Sequence, residues 1–496
     1  MTLDALHHTL RRGGHRPAVL GATRAGATRT KVTCGDLADF ADRYAAALHA
    51  RGIGRGSVLG VAVSPGPHAL AVMLAAHRLG ACVAVLDPSA GPDVLRAHFA
   101  LARPELILAS AAAQALAGWA RPLARYAQVD LPDLAQLGEV ATLGPRLPGC
   151  APKLELASPM AALPRPVDDD SDAVIVFTSG TTAAPRAVVH TRSSLAAGMA
   201  TVADLVEPAA AQPVLGGATF VLVPSLAAGA PVAMPARSPR VLARQLRQLR
   251  PQATFLTPPQ LRAVLAADGW FHGRVWTGSA PATASLLTRV KAAGADQAWG
   301  VYAMTEMWPA AAVEQREKVL FAGDGDLVGA PLPGVRPAIG PRGELLLAGP
   351  GARHRYLGED PDPWVATGDR ARLEDGTIVL EGRLKDMVIR GTQNIYPGLY
   401  ENSLHVPGVE LAVLVGVPAG DGDEHLVAVV QPRPDVDHTR LRAALVRPLE
   451  RMGAARPDAV LLADVPLTGR SRKPDRAAAS RLAAAHLPNL PHTAPR

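Results

Sequence analysis

Cysteine and aromatic residues are scarce in this chain of 496 residues, which contains three cysteines and is 4% aromatic. Cys34, Cys82 and Cys150 lie far apart and form no C-x-x-C pair, which argues against a disulfide framework or a zinc site. No apolar run is long enough to span a membrane, and residues 1–12 lack the apolar core of a secretory signal. We therefore expect a cytoplasmic protein without a membrane span.

Long runs of a single charge are also absent, although the formal net charge is +7. The basic residues are dispersed and the aromatic residues are too few for a base-stacking surface, so we expect no nucleic-acid partner. The positive excess is expected to attract anionic substrates such as nucleotides, carboxylates or CoA. The densest basic cluster comprises Arg470, Arg472, Lys473 and Arg476, and taken alone it is typical of a solvated turn.

The chain does contain a regular alternation of short apolar runs and helix-like segments, and its length predicts two to four domains. Strands are predicted at 58–63, 82–86, 106–109, 219–223, 253–256 and 275–276, and helices at 34–52, 68–80, 94–102, 238–249 and 259–267. This alternation predicts an α/β fold with parallel-rich sheets flanked by helices. We further predict a linker at 144–170, a small β unit at 318–381 and a compact α+β segment after residue 386.

The most informative stretch is residues 177–188, with the sequence FTSGTTAAPRAV. An apolar strand end leads into a loop that holds hydroxyl side chains, a glycine, a proline and the cation of Arg186. Hydroxyls and free backbone N–H groups suit phosphate oxygens, and a nearby cation neutralises their charge. The loop is not a Walker A loop, because G-x-x-x-x-G-K-S/T is absent. On these residues alone, a phosphate-binding loop and an ordinary surface turn fit equally well.

Four segments, in the expected order, resemble signatures of the adenylate-forming superfamily, which includes acyl-CoA synthetases, peptide-synthetase adenylation domains and luciferases. The loop is similar to T-S-G-S/T-T-G-x-P-K-G, residues 302–306 to Y-G-x-T-E, residues 367–386 to T-G-D…D-G…G-R-x-K-D, and residues 465–476 to P-x-T-x-x-G-K-x-D-R. One such match is weak, but four in order over most of the chain are specific. Stand-alone acyl-CoA ligases and β-lactone synthetases are the branches that the chain resembles most.

The resemblance implies a large N-terminal adenylate-forming domain at 1–385, which binds ATP and the acid, and a mobile C-terminal α+β lid domain at 386–496. The hinge would lie at Lys385 and Asp386, about which the lid would turn between two catalytic orientations. The implied cofactors are ATP and Mg²⁺, with CoA as a possible acceptor.

The resemblance also assigns site residues. Thr305 would contact the α-phosphate, Glu306 would hold Mg²⁺, and Asp369 would accept the ribose hydroxyls. Without their motifs, Glu306 and Asp369 would be interpreted as a surface carboxylate and a turn residue. The other implied residues bind the phosphates, the ribose or the adenine side, with Arg186 also catalytic, and are Thr178, Ser179, Gly180, Thr181, Thr182, Arg186, Gly278, Ser279, Ala280, Tyr302 and Arg383.

Lys473 is the implied lid lysine, which would bridge the carboxylate and the α-phosphate during adenylation. Arg470 and Arg472 are close enough to compete for this role. Lys473 is preferred because Asp475 and Arg476 follow it at the expected offsets.

The chain departs from the family pattern at several positions. Ala183, Ala187 and Ala303 replace glycines, which would cost stability if those positions need positive φ. Arg186 replaces a lysine, and the two cations are not interchangeable. The aromatic residue or histidine that usually precedes the acyl pocket is not evident at 215–228, although Phe220 is a candidate.

These matches predict activation of a carboxylic acid by ATP as an acyl adenylate with release of pyrophosphate, followed by transfer to the thiol of CoA or of a carrier protein. One alternative uses the same fold for β-lactone synthetase-like ring closure, or for another specialised activation of a small acid or anion in secondary metabolism. The glycine replacements leave a second alternative, a nucleotide-binding pseudoenzyme. A monomer or a homodimer is expected.

Overall fold

The computed structural model describes residues 3–86, 92–120, 132–156, 169–178, 186–390, 393–420, 423–469 and 472–487. Two large sheets with packed helices form most of the chain, and a smaller group of strands and helices follows residue 386. Within these residues, no helix combines the length and the apolar character that a bilayer crossing requires. The linker predicted at 144–170 lies partly outside the described residues.

The helices begin and end at recognisable local signals. Thr33 and Asp36 form a capping box at the start of α2, and Gly80 ends α3 in the left-handed region at φ 70°. The described helices are α1 (Leu3–Gly13), α2 (Cys34–His49), α3 (Pro67–Leu79), α4 (Pro92–Ala102), α5 (Ala111–Ala117), α6 (Arg192–Val206), α7 (Thr219–Ala227), α8 (Pro239–Leu249), α9 (Pro258–Ala266), α10 (Ala284–Ala292), α11 (Gln315–Leu320), α12 (Gly398–Glu401), α13 (His438–Arg451) and α14 (Arg476–His486). The five helices predicted from sequence are confirmed, with ends that differ by up to three residues.

The strands fall into two large sheets and three small ones. In the first half of the chain they are β1 (Pro17–Ala22), β2 (Thr28–Thr33), β3 (Val58–Ala62), β4 (Cys82–Val85), β5 (Leu106–Ser110), β6 (Val140–Leu143), β7 (Asp172–Thr178), β8 (Arg186–Thr191), β9 (Val214–Gly216), β10 (Val232–Ala233) and β11 (Ala253–Phe255). The remaining strands are β12 (Arg274–Thr277), β13 (Gln297–Met304), β14 (Met307–Glu314), β15 (Asp326–Pro331), β16 (Arg336–Ile339), β17 (Glu344–Ala348), β18 (Arg355–Tyr356), β19 (Val365–Glu374), β20 (Thr377–Arg383), β21 (Val388–Arg390), β22 (Gln393–Ile395), β23 (Val409–Gly420), β24 (Asp423–Pro432), β25 (Ala459–Leu462), β26 (Leu467–Thr468) and β27 (Lys473–Pro474).

The seven-stranded sheet has the order β18-β8-β7-β4-β3-β5-β6 and is parallel from β7 to β6. Along β5, Leu106 and Leu108 enter one hydrophobic core, whereas Ile107 and Ala109 enter another. Helices therefore cover both faces, as a parallel sheet requires. The predicted α/β layering is confirmed here.

The thirteen-stranded sheet has the order β16-β17-β19-β20-β15-β14-β13-β12-β11-β9-β10-β1-β2. The run from β13 to β1 is parallel, and the strands from β14 to β16 are antiparallel. The small β unit predicted at 318–381 is present, but it continues this sheet because β15 pairs with β14. The carboxyl ends of β12 and β13 thereby lie close to the β19–β20 hairpin.

The strand predicted at 219–223 is wrong, because these residues begin helix α7. The helix is apolar on all sides, and residues 221–226 are all buried between the sheet and α1 and α6. A short apolar run that is buried all round has no helical periodicity, so its sequence resembles that of a buried strand.

The C-terminal segment, residues 387–487, has its own three-stranded sheet, β23-β24-β25, packed against α13 and α14. Its backbone touches the N-terminal part at Gly398, where a Cβ would lie 2.5 Å from the Cα of Gly382. The Nδ2 of Asn402 donates to the carbonyl oxygen of Gly325 at 2.7 Å. These contacts fix the orientation of the C-terminal segment in this structure.

Candidate nucleotide and acid site

The site lies where β12, β13 and the β19–β20 hairpin converge. After β12 the chain turns at Gly278, whose Cβ position would lie only 2.9 Å from the carbonyl oxygen of Val301. Ser279 follows in the left-handed region at φ 69°, an uncommon conformation for a residue with a side chain. Such strain at a loop between a sheet and a cavity is typical of a ligand-binding turn. Ala280 follows directly, so the three sequence-predicted residues of this loop lie at one edge of the site.

Asp369 is the most deeply buried carboxylate of the site, with 5% of its surface exposed. Its Oδ2 accepts a hydrogen bond of 2.6 Å from the hydroxyl of Tyr302, and its Oδ1 lies 2.8 Å from Nε of Arg383. Burial raises the pKa of Asp369, and the charge of Arg383 together with the Tyr302 hydroxyl acts in the opposite direction. The structure thus brings together three predicted residues, from β13, β19 and β20.

Glu306 follows β13, and its Oε1 accepts a hydrogen bond of 3.1 Å from the hydroxyl of Tyr356. The ring of Tyr356 also contacts two guanidinium groups, with Cζ of Arg186 at 4.6 Å and Cζ of Arg353 at 4.5 Å from its centroid. Sequence reasoning missed Tyr356 and Arg353, because they are 47 or more positions away from Glu306 and only strand pairing brings them near. The pairing of Tyr356 with Val188 places this ring beside Arg186.

Thr178 ends β7 and Arg186 begins β8, and the two residues are register partners in the antiparallel pair. The hydroxyl of Thr178 donates to the carbonyl oxygen of Arg186 at 3.4 Å. The loop between them contains Ser179, Gly180, Thr181 and Thr182, and these predicted residues lie outside the described residues.

The glycine replacements are accommodated where the structure describes them. Ala187 is a buried residue of β8, and Ala303 lies in β13; neither has a positive φ. The strain expected for alanine at these two positions is therefore absent. Ala183 lies outside the described residues.

Thr305 is held through its backbone. Its carbonyl oxygen lies 2.8 Å from Nε2 of His190, which is fully buried and packs edge-on against Trp308. Burial lowers the pKa of His190, so the neutral imidazole is favoured, with Nε2–H as the donor to the carbonyl. His190 was not predicted, and its isolated position in an apolar strand gave no sign of this contact.

Lys473 reaches the site from β27 of the C-terminal segment. Desolvation and the charge of Arg383 lower the pKa of Lys473, whereas the carboxylates of Asp369 and Glu306 raise it. Lys473 as a whole residue is exposed, but its ammonium is desolvated and within electrostatic range of both predicted carboxylates. Arg472 precedes it in the left-handed region at φ 49°, whereas Arg470 lies outside the described residues.

Arg476 anchors the strand that carries Lys473. Its guanidinium pairs with Asp386 at 2.9 Å and with Glu401 at 2.6 Å. These carboxylates raise the pKa of Arg476, so it stays charged. The ion pairs connect α14 with the turn at Leu384–Asp386, where the hinge is predicted.

An apolar cavity that is partly open to solvent adjoins the site between the thirteen-stranded sheet and helices α6 and α7. Phe220, the aromatic candidate from sequence, lines it together with Phe255 and Trp308. The ring centroid of Phe220 lies 5.5 Å from that of Phe255 and 5.6 Å from that of Trp308. Gly278 and Ser279 also line the cavity, so it opens toward the predicted nucleotide residues.

Glu306 is the residue that would bind Mg²⁺ at this site. Within the described part of the chain, no group of three or more His, Cys, Asp and Glu residues could hold a metal ion. Mg²⁺ that arrives with a nucleotide commonly needs only one or two carboxylates besides phosphate oxygens and water. A single carboxylate held by Tyr356 therefore fits a nucleotide-borne Mg²⁺ and not a resident protein-only metal site.

Comparisons with known proteins identify the family of this chain. The AMP-binding enzyme family matches residues 6–357. Feruloyl-CoA synthase of an Amycolatopsis species is 31% identical over 301 residues, which cover 54% of this chain and 61% of that protein. Indoleacetate–CoA ligase of Aromatoleum aromaticum is 28% identical over 436 residues, which cover 80% of this chain and 82% of that protein.

Among solved structures, the amide bond synthetase McbA from Marinactinospora thermotolerans has a TM-score of 0.77 and 23% identity. The superposition covers 97% of this chain and 99% of McbA, which shows that the two share a fold. The match spans about 61% of the feruloyl-CoA synthase length, so the alignment with that relative is partial. Because the family match covers most of the chain and the fold agrees, this protein belongs to the AMP-binding enzyme family, within the adenylate-forming superfamily.

Proposed function

We propose that this protein activates a carboxylic acid with ATP, forming an acyl adenylate and pyrophosphate. The observation that carries the proposal is the buried carboxylate of Asp369, held by the hydroxyl of Tyr302 at 2.6 Å and by Nε of Arg383 at 2.8 Å. Lys473 of the C-terminal segment adds a cation within electrostatic range of Asp369 and Glu306. A cation at this position suits a reaction between two anionic substrates, the carboxylate of the acid and ATP.

Nucleotide binding follows from the same residues. Asp369, oriented by Tyr302 and Arg383, accepts hydrogen bonds from the ribose hydroxyls, since a carboxylate has room for several donors. The turn at Gly278 and Ser279 takes the adenine side, and Thr178 with the loop that follows takes the β- and γ-phosphates. Arg186, held against Tyr356, supplies a positive charge beside them.

In the chemical step, a carboxylate oxygen of the acid attacks the α-phosphorus of ATP. A bond forms between this oxygen and phosphorus, and the bond from phosphorus to the β-bridging oxygen breaks, so that pyrophosphate leaves. Negative charge grows on the phosphoryl oxygens, and fixed donors that point at them lower the barrier. Lys473 brings the two anions together, and Thr305 contacts the α-phosphate. Mg²⁺ bound with the nucleotide at Glu306 would neutralise further phosphate charge.

For the second step, we propose that residues 386–496 act as a lid on the domain formed by residues 1–385. The turn at Leu384–Asp386 would be the pivot. The acceptor would be the thiol of CoA or of a carrier protein, and the names of the two CoA-forming relatives support CoA. The three cysteines are unpaired, which is consistent with the reducing cytoplasm that we propose as the site of action.

A nucleotide-binding pseudoenzyme is less well supported, because that alternative was based on expected backbone strain at the alanines that replace glycines. Ala187 and Ala303 adopt ordinary backbone conformations. β-Lactone closure uses the same first step and differs only in the fate of the adenylate.

Exchange of labelled pyrophosphate into ATP, measured with a panel of acids, tests the proposal. At least one acid should support exchange, and Lys473→Ala should abolish it while ATP still binds. Arg481→Ala, an exposed change in the same segment, serves as the matched control and should retain wild-type exchange. ATP binding without exchange on any acid would refute the proposal and favour a pseudoenzyme.

A further inference from the structure

The cavity beside the site is almost entirely apolar. Val202, Leu205 and Val221 form part of its helical wall, and Phe255, Trp276 and Val301 form part of its sheet wall. Among the described residues, none that lines it is an Asp, Glu, Lys, Arg or His. A charged group placed there would lose its hydration without gaining a partner.

Arg274 places a cation beside Trp276 of the sheet wall, but its charge is already compensated. Its Nη1 lies 2.8 Å from a carboxylate oxygen of Glu207, and its Nη2 donates to the carbonyl oxygen of Val206 at 2.7 Å. Its guanidinium lies over the ring of Trp276, with Cζ 5.3 Å from the ring centroid. Arg274 therefore closes the end of α6 and covers the indole, and does not line the cavity.

Two polar atoms of the wall, Oγ1 of Thr254 and Nε1 of Trp276, are buried without a hydrogen-bond partner among the described residues. Of the two residues, only Trp276 is purely a donor, so it is the one that requires an acceptor. Its side chain is 3% exposed. Nearly all buried N–H groups in proteins are paired, and an unpaired one is costly. Trp299, on the neighbouring strand, shows the usual arrangement, since its Nε1 donates to Oε1 of Gln297 at 3.3 Å.

We infer that the acid taken by this cavity has an uncharged, mostly apolar body and one hydrogen-bond acceptor, such as an ether or carbonyl oxygen, that binds Nε1 of Trp276. This inference rests on the proposed function, because the cavity is assigned to the acid. Small-molecule pockets of this kind are apolar with a few placed polar groups. A second carboxylate or an ammonium placed in this cavity has no charged partner among the described residues that line it, so we infer that dicarboxylic acids and amino acids are not substrates.

The test is pyrophosphate exchange with matched acids. Phenylacetic, cinnamic and 2-naphthoic acids are each compared with a methoxy group and with an ethyl group of similar size at every ring position. For at least one position, kcat/KM should be about tenfold to a hundredfold higher for the methoxy acid, because only its oxygen pairs with the buried donor. Malonic acid, 4-carboxyphenylacetic acid and phenylalanine should give no exchange.

Trp276→Phe removes the donor and keeps an aromatic ring, so the ratio of kcat/KM for the methoxy acid to that for the ethyl acid should fall to about one. Trp299→Phe is the matched control and should keep the preference. Thermal unfolding and ATP binding of both variants report on folding. A preference that survives Trp276→Phe, or exchange with the charged acids, would overturn the inference but leave acid activation standing. Absence of exchange with every acid would overturn both.

Discussion

Glu410 in β23 forms an ion pair with Arg262 in α9 at 3.0 Å and thereby links the C-terminal segment to a helix of the N-terminal part. The same carboxylate lies 2.8 Å from Arg289 in α10, and Arg433 of the C-terminal segment approaches it at 3.5 Å. One carboxylate therefore contacts two cations across the interface and a third in its own segment. The ion pairs of Glu410 are present in the same orientation of the C-terminal segment that brings Lys473 to the site.

Glu410→Gln should weaken this orientation, because an amide cannot compensate the arginines and a buried cation without its partner is costly. We expect the rate of pyrophosphate exchange to fall about tenfold, equivalent to about 1.4 kcal/mol. Transfer from preformed acyl adenylate to the thiol should change much less. Glu450→Gln, an exposed carboxylate change in the same segment, is the control. Unchanged exchange in Glu410→Gln would show that the ion pair does not hold the orientation.

Asp369→Ala should weaken binding of ATP and AMP more than any other single carboxylate change. The ribose hydroxyls would lose a shared charged acceptor, and hydrogen bonds to charged groups contribute about 1.5–3 kcal/mol each, so Kd should rise up to about a hundredfold. Glu306→Ala should leave Mg²⁺-free AMP binding nearly unchanged. Calorimetric titration with and without Mg²⁺ separates the two variants, and wild-type AMP affinity in Asp369→Ala would rule out the ribose contact.

We expect the rate of adenylate formation to fall at alkaline pH as Lys473 loses its proton. Its ammonium must be charged to bring two anions together, and its pKa is lowered by desolvation and by Arg383. Because the pKa is below the ordinary lysine value of 10.5, the rate should begin to fall at a lower pH than for an unperturbed lysine. Lys473→Arg keeps its charge at all accessible pH values, so any residual exchange should lose this alkaline limb. A limb that persists in the variant would assign the titration to another group.

Tyr356→Phe should impair the positioning of Glu306. The ring remains between Arg186 and Arg353, but the 3.1 Å hydrogen bond to the carboxylate is lost. We expect kcat for exchange to fall about tenfold and the Mg²⁺ concentration for half-maximal rate to rise, while KM for the acid stays within about twofold. A pure folding defect would instead lower the melting temperature without changing the Mg²⁺ dependence.

The sequence predicted the layered α/β architecture, because strand–helix alternation is a local property of residues such as those of β3, α3 and β4. The family resemblance also assigned Asp369 and Arg383 to the same ribose, since both lie in one motif run. The contacts of Tyr356 and Glu410 were not predictable, because they depend on pairing between elements far apart in the chain. The strand predicted at residues 219–223 was wrong for a different reason, because a fully buried helix and a buried strand have similar apolar composition.

The β19–β20 hairpin connects the proposed ribose-binding residue with the proposed pivot of the C-terminal segment. Asp369 stands opposite Arg383 in its register, and Arg383 leads directly into the turn at Leu384–Asp386, where Arg476 holds Asp386. The proposed ribose-binding residue thus lies on one strand of the hairpin, and the proposed pivot directly follows the other strand. We therefore expect the release of AMP and the rotation of the C-terminal segment back to its first orientation to occur in the same kinetic step. Added AMP should then slow turnover by retaining the segment, even when the acid is saturating.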